Sequence, residues 1–139
     1  MTNKNKKRDT GCPIAFALDI FGDRWSLVII RDILIKSYTT YNELLSCDEK
    51  IATNILASRL KDLVASGIIS KNQDPKNKRY SLYKITEMGA ELTPIIVEMM
   101  RWSGKHDNNT KVSDEILNKI SHNRQGFIEA IQAKALVSS

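Results

Sequence analysis

Four residues with hydrogen-bonding or small side chains, Asn54, Ala57, Ser58 and Lys61, recur at helical spacing in the segment Ala52–Ser66. At ~100° per residue from Ala52 they fall at about 200°, 140°, 240° and 180°, on one face of a helix. The chemistry of that face is the chemistry of base edges. An Asn amide can pair bidentately with adenine, a Lys can donate to guanine or phosphate, a Ser hydroxyl can do either, and Ala admits a thymine methyl. The face carries no carboxylate, Asp62 standing beyond its edge near about 280°. Leu56, Leu60 and Leu63 occupy the opposite arc, with Ile55 on its flank, and are expected to face the core. Thr53 lies at the boundary, where it can touch a nucleic-acid backbone. Arg59 falls inside the apolar arc, where its stem can run along the core and its head can meet a phosphate or, the preferred reading, an acidic partner. An ordinary solvated helix face is the competing reading, so the neighbouring elements decide.

Those elements occur in a telling order. Thr40-Tyr-Asn-Glu43 is a capping box that starts a short helix ending near Ser46. A polar turn, Cys47-Asp-Glu-Lys50, separates it from the helix described above, which Gly67 stops. Ile68–Lys71 and Tyr80–Ile85 are β-prone runs joined by a basic loop over residues 73–79, giving a hairpin with Lys76, Lys78 and Arg79 at its tip. Those three cations suit phosphates or the minor groove. Helix, turn, helix and hairpin in this order are what a winged helix-turn-helix requires.

Upstream, Pro13 suits the first turn of a helix running to about Phe21, with Gly22 in the left-handed position after it. Asp23 caps a second helix, Arg24 to about Ile35, and both helices read as core. Downstream, Thr86 caps a long fifth helix through about Gly104, in which Gly89 costs roughly 1 kcal/mol relative to alanine. Leu92, Ile95, Ile96, Met99 and Trp102 lie on one side of it. Ser113–His122 and Arg124–Leu136 read as two more amphipathic helices. The fold class is therefore mainly α with a small β-hairpin wing. Residues 1–11 read as a basic flexible tail, 12–106 as the winged helix-turn-helix domain and 107–139 as a C-terminal helical extension.

Charge and length sharpen the reading. The chain has 139 residues and a formal charge of +5. Residues 1–11 hold +3 of this and residues 74–106 hold +2, while the other segments are neutral. The excess thus lies in the tail and in the segment that opens with the hairpin tip. No stretch approaches the ~18 apolar residues of a membrane span, and the N-terminus lacks a signal-peptide cleavage site, so a cytoplasmic protein is expected. Cys12 and Cys47 form no disulfide framework, and His106 and His122 have no zinc-ligand spacing, so no metal site and no cofactor are expected. The chain contains no GxSxG, HExxH, Cys-x-x-Cys or glycine-rich phosphate loop, and an enzyme is not expected.

From Cys12 to His106 the sequence resembles the HxlR-type winged helix-turn-helix regulators of bacteria, relatives of the MarR regulators. The resemblance rests on Cys12-Pro13 with Ala17-Leu18, Gly22-Asp-Arg-Trp25, Ile30-Arg-Asp-Ile-Leu34, Tyr41-Asn-Glu-Leu44, Leu56 with Arg59-Leu-Lys-Asp-Leu63, Gly67-Ile-Ile69 and Tyr83-Lys-Ile-Thr-Glu-Met-Gly89. It implies a homodimer joined through the first and fifth helices, with two recognition helices entering successive major grooves of double-stranded DNA. It also implies an imperfectly palindromic operator near a promoter. Carried over by position, Thr53, Asn54, Ala57, Ser58 and Lys61 become base or phosphate contacts, and Thr40 and Tyr41 backbone contacts. Control by a small-molecule effector or by oxidation at Cys12, with repression as the outcome, is implied as well.

Cys12 matches an N-terminal cysteine that some members use to sense oxidants. A helix start beside Lys7 and Arg8 favours the thiolate, and a small residue buried at a dimer interface is the competing reading. Acidic Asp48 and Glu49 disfavour that role for Cys47. The sequence departs from the family pattern at Ala52, where many relatives place a capping Ser, in its MarR-like hairpin tip and in the extension beyond residue 110, whose helices are expected on the dimer surface. A winged helix that contacts protein instead of DNA is the rival function.

Overall fold

The structure, a computed structural model, describes residues 10–137. The tail over residues 1–9, including Lys7 and Arg8, lies outside the described residues. In chain order the elements are α1 (Pro13–Phe21), α2 (Ser26–Leu34), α3 (Tyr41–Leu45), α4 (Thr53–Ala65), β1 (Ile69–Asp74), β2 (Asn77–Ile85), α5 (Glu87–Ala90), α6 (Thr93–His106), α7 (Asp114–His122) and α8 (Arg124–Val137). The two strands form an antiparallel hairpin in the register Ile69–Ile85, Lys71–Tyr83 and Gln73–Ser81.

Local chemistry sets most boundaries. Asp23 accepts from the amides of Trp25 and Ser26 at 2.9 and 3.0 Å and so caps α2. The capping box at α3 is complete: Glu43 N donates to Thr40 Oγ1 and Thr40 N donates to Glu43 Oε1, both at 3.1 Å. α4 closes with a Schellman motif, in which Ile68 N donates to Leu63 O and Gly67 N to Val64 O. Gly67 takes φ +81°, a region where a side chain would be strained. Gly22, expected in the left-handed region, instead has φ −79°. What Gly22 supplies is room, because a Cβ there would meet the carbonyl oxygen of Leu18.

The core is built by α2, α3, α4 and the base of the hairpin. Ile29, Ile30, Ile33 and Leu34 pack with Leu44, with Leu56, Leu60 and Leu63, and with Ile68, Ile69, Tyr83 and Ile85. Burying each such side chain contributes about 1.5–3 kcal/mol. Cys47, read from sequence as part of a polar turn, is buried in this cluster with Ile51, so the α3–α4 turn is pinned from beneath. Tyr83 N donates to Thr39 O at 2.7 Å and ties the hairpin to the start of α3.

Three further sequence expectations are corrected. α1 is not core: Phe21 is its only buried residue, and Ile14 is 69% and Leu18 56% exposed. Ile55, placed with the core arc of α4, is exposed. The long fifth helix is two helices, because Pro94 has no N–H to donate to Ala90. The carbonyl of Ala90 accepts instead from Thr93 Oγ1 at 2.7 Å and Gln132 Nε2 at 3.0 Å. The second donor belongs to α8, which folds back so that Ile131, Ala135 and Leu136 pack against the main core. Val97, Ile120 and Ile128 form a smaller cluster where α6, α7 and α8 meet.

Gly89 changes meaning in this setting. A Cβ there would meet the backbone oxygen of Ile68 and the side chain of Ile85, so α5 sits directly on the end of the hairpin. Gly89→Ala is therefore expected to destabilise the protein by about 1–3 kcal/mol in urea denaturation, as overpacking does, although helix propensity alone assigns it a gain of about 1 kcal/mol.

Candidate nucleic-acid interface

The polar face read from sequence is on the surface. Asn54, Ala57, Ser58 and Lys61 are all exposed along α4, as is Thr53 at its first turn. The leucine stripe beneath them is fully buried, Leu56 and Leu63 being 0% exposed, so the face cannot rotate away. Ala52 occupies the N-cap without a side-chain hydrogen bond. The first amides of α4 consequently have no side-chain cap at that position, which leaves donors at the positive end of the helix.

Two tethers hold α4 in place. Tyr41 Oη donates to Thr53 O at 3.1 Å and joins α3 to the first residue of α4. Arg59 meets Asp62 at 2.7 Å and Asp23 at 3.7 Å, so its head has the acidic partners preferred from sequence. Arg59 Nη2 also donates to Ser58 Oγ at 3.2 Å, which orients one of the face's hydroxyls. Thr40 is committed through its oxygen to the capping box, and burial is low enough that it and Tyr41 remain partly exposed at the start of α3.

The hairpin tip is shorter and more ordered than a seven-residue loop. Asp74 pairs with Asn77, and the register then jumps, so residues 78–80 bulge from the ladder. Lys76 lies in the turn, while Lys78 and Arg79 sit on β2 itself. Lys76 N donates to Asp74 Oδ1 at 2.9 Å and Arg79 N to Asn77 Oδ1 at 3.1 Å, each a side-chain-closed turn. All three cations are exposed. Cys12 is the N-cap of α1 and is also exposed, and its Sγ accepts from Ala15 N at 3.5 Å. No cluster of potential metal ligands occurs among the described residues.

One network was not foreseen from sequence. Arg31 Nη1 and Nη2 donate to the two carboxylate oxygens of Glu49 at 3.0 and 2.9 Å, and Arg31 Nε donates to the buried Asp32 at 2.8 Å. α2 thereby grips the turn that leads into α4. The signal was an Arg-Asp pair interrupting an apolar helix, since a charge there needs a partner.

Residues 20–111 match the family described as HxlR-like helix-turn-helix. The chain belongs to that family. It is 33% identical over 95 residues to the HTH-type transcriptional regulator YybR of Bacillus subtilis, covering 66% of this chain and 73% of the relative. The solved structure of PA1607, described as a transcription factor, superposes with a TM-score of 0.69 at 30% identity, over 78% of this chain and 74% of that one. The oxidised form of the redox regulator HypR gives 0.59 at 27% identity, over 73% of this chain and all (100%) of that one. The HxlR-like resemblance and the winged-helix architecture read from sequence are thus both met. No helix among the described residues is long and apolar enough to cross a membrane.

Arg31 holds the Glu49 carboxyl down to about 2, from an ordinary 4.5, chiefly by its hydrogen bonds. A carboxyl lowered on folding stabilises the folded state fully above its unfolded value, and the contribution is lost as pH falls through the folded one. Because the Glu49 side chain is 34% exposed in this bridge, solvent screening leaves it worth about 0.5–1 kcal/mol. Glu49→Gln is expected to lose that amount at pH 7 and to flatten the fall in stability between about pH 4.5 and 2; a pH series of urea melts reads both.

Proposed function

We propose that this HxlR-like protein is a sequence-specific double-stranded DNA-binding transcriptional regulator that acts as a homodimer. The observation that carries the reading is the exposed, carboxylate-free face of α4, fixed outward by a fully buried leucine stripe. Asn54, Ala57, Ser58 and Lys61 read bases or contact phosphate in the major groove, and Thr53 with the uncapped first turn of α4 receives a backbone phosphate. Thr40 and Tyr41 contact the backbone from α3. Lys76, Lys78 and Arg79 at the wing neutralise phosphates.

The homodimer reading is supported by apolar surface in two helices. Ile14, Phe16 and Leu18 on α1 and Ile95, Met99 and Trp102 on α6 are exposed in the single chain, and a second copy would cover them. A two-fold dimer puts recognition helices one DNA turn apart, about 34–36 Å. Repression relieved by a small molecule or by oxidation at Cys12 completes the proposal. The support for oxidation is an exposed thiol at the start of α1, together with likeness to a regulator solved in reduced and oxidised forms. A change at that interface would alter the spacing of the two α4 helices and remove the affinity gained from bivalence. The protein is proposed to act in the cytoplasm and to catalyse no reaction.

Selection of bound fragments from sheared host DNA at about 150 mM salt, a concentration that suppresses nonspecific phosphate binding, should enrich a two-fold symmetric site. Absence of enrichment, with binding that vanishes as salt rises, would favour a protein-contacting winged helix. On the enriched site Asn54→Ala is expected to cost about 1–3 kcal/mol with a smaller loss on random DNA. Lys78→Ala should weaken both about equally and lower the salt slope by about one. Treatment with diamide should weaken operator binding by wild-type protein and leave Cys12→Ser unaffected; equal loss in both would remove Cys12 from the mechanism.

A further inference from the structure

Ile55 is the one large apolar residue of α4 left exposed among the described residues, at 36%. Leu56, Leu60 and Leu63 are buried and Val64 packs against the core from its edge, whereas Ile55 belongs to neither group. The leucine stripe sets the rotation of α4, and at ~100° per residue Ile55 falls near about 300°, next to Ser58 near about 240°. It stands in the first turn with Thr53 and Asn54, where Ala52 brings no capping side chain. One and two turns further along, the same side of the helix is charged: Arg59 meets Asp62 at 2.7 Å and Asp23 at 3.7 Å. The apolar surface on that side is therefore one side chain wide and confined to the N-terminal turn.

A lone exposed isoleucine is ordinary on a protein surface. On the first turn of a helix held toward a groove it restricts what that groove can present, because N-terminal residues of a recognition helix meet base edges. Polar atoms on those edges lose water to an isoleucine without gaining a hydrogen bond. The C5-methyl group of thymine is the exception and gains from apolar cover. We propose that Ile55 is a specificity-determining residue that reads the C5-methyl group of one thymine in each half-site. A hydrogen bond to thymine O4 is the same with or without that methyl group, so Asn54 and Ser58 do not supply this discrimination. Selection works in both directions, since a cytosine at the same position brings an N4 donor that Ile55 strips of water. This role rests on the DNA-binding reading above and adds a base contact to it.

The test uses the full chain and the operator from the fragment selection, with thymines replaced pair by symmetric pair by deoxyuridine, which removes the C5-methyl group and nothing else. At one pair, wild-type binding should weaken about ten- to twentyfold, or roughly fourfold per half-site for one methyl group left without apolar cover. Ile55→Ala should lose at least as much on the unmodified operator and show no further loss at that pair, while Ile55→Val keeps the dependence. Losses at other thymines, such as one beneath Ala57, should persist in Ile55→Ala. Because Ile55 is exposed, both variants should melt close to wild type. Deoxyuridine substitutions without effect on wild-type binding, or losses that all persist unchanged in Ile55→Ala, would overturn the contact. So would weakened self-association of Ile55→Ala in sedimentation equilibrium without DNA, which would make Ile55 an assembly residue. An enriched operator without this methyl dependence removes the role of Ile55 and leaves the DNA reading standing; no enriched operator removes both.

Discussion

Burial of Leu56, Leu60 and Leu63 is the constraint from which the rest of the molecule follows. The three side chains are held by isoleucines and a leucine from α2, by Leu44 from α3, and by the base of the hairpin. Turning α4 about its axis would expose them at a cost of about 1.5–3 kcal/mol each. The rotational setting of the helix is therefore fixed by its apolar side, and its polar side is presented as a consequence. A recognition surface needs such rigidity, because a base-reading side chain displaced by an ångström loses its hydrogen-bond geometry.

Polar contacts then set the helix along its length and at its ends. Tyr41 holds the carbonyl of Thr53, Arg59 bridges α4 to Asp23 before α2, and Arg31 holds Glu49 in the preceding turn. The apolar contribution fixes which face is outward, and these tethers fix where the helix starts. The division has a physical basis. Apolar burial is large but non-directional, whereas hydrogen bonds are modest in net energy and strict in geometry.

The remaining surface is divided between what the chain covers itself and what it leaves open. α8 returns to the core with Ile131, Ala135 and Leu136, its Gln132 completes the carbonyl of Ala90, and its Arg124 reaches Glu98 on α6 at 2.8 Å. Among the described residues α1 and the outer side of α6 have no such cover, and Trp102 stays 59% exposed there. An apolar surface of that kind on two helices fits assembly with another copy better than life as an isolated protomer.

Local chemistry was legible in the sequence wherever a few neighbouring residues carry it. The capping box at Thr40 and Glu43, the cap at Asp23, the stop at Gly67, the hairpin and the polar face of α4 all depend on contacts within a helical turn or a strand pair, and the structure contains each. The break at Pro94 is equally local, but the hydrophobic spacing that continues on either side of it masks the missing N–H. What only the tertiary structure decided involves partners far apart in the chain. Whether α1 is buried depends on what packs beside it, whether Gly89 is a weakness or a requirement depends on the backbone of Ile68, and what Arg31 does depends on Glu49 arriving from another element. Periodicity reports that a side of a helix is apolar or polar; it carries no information about which distant residue meets that side, because that is settled only when the chain closes its loops and the elements pack.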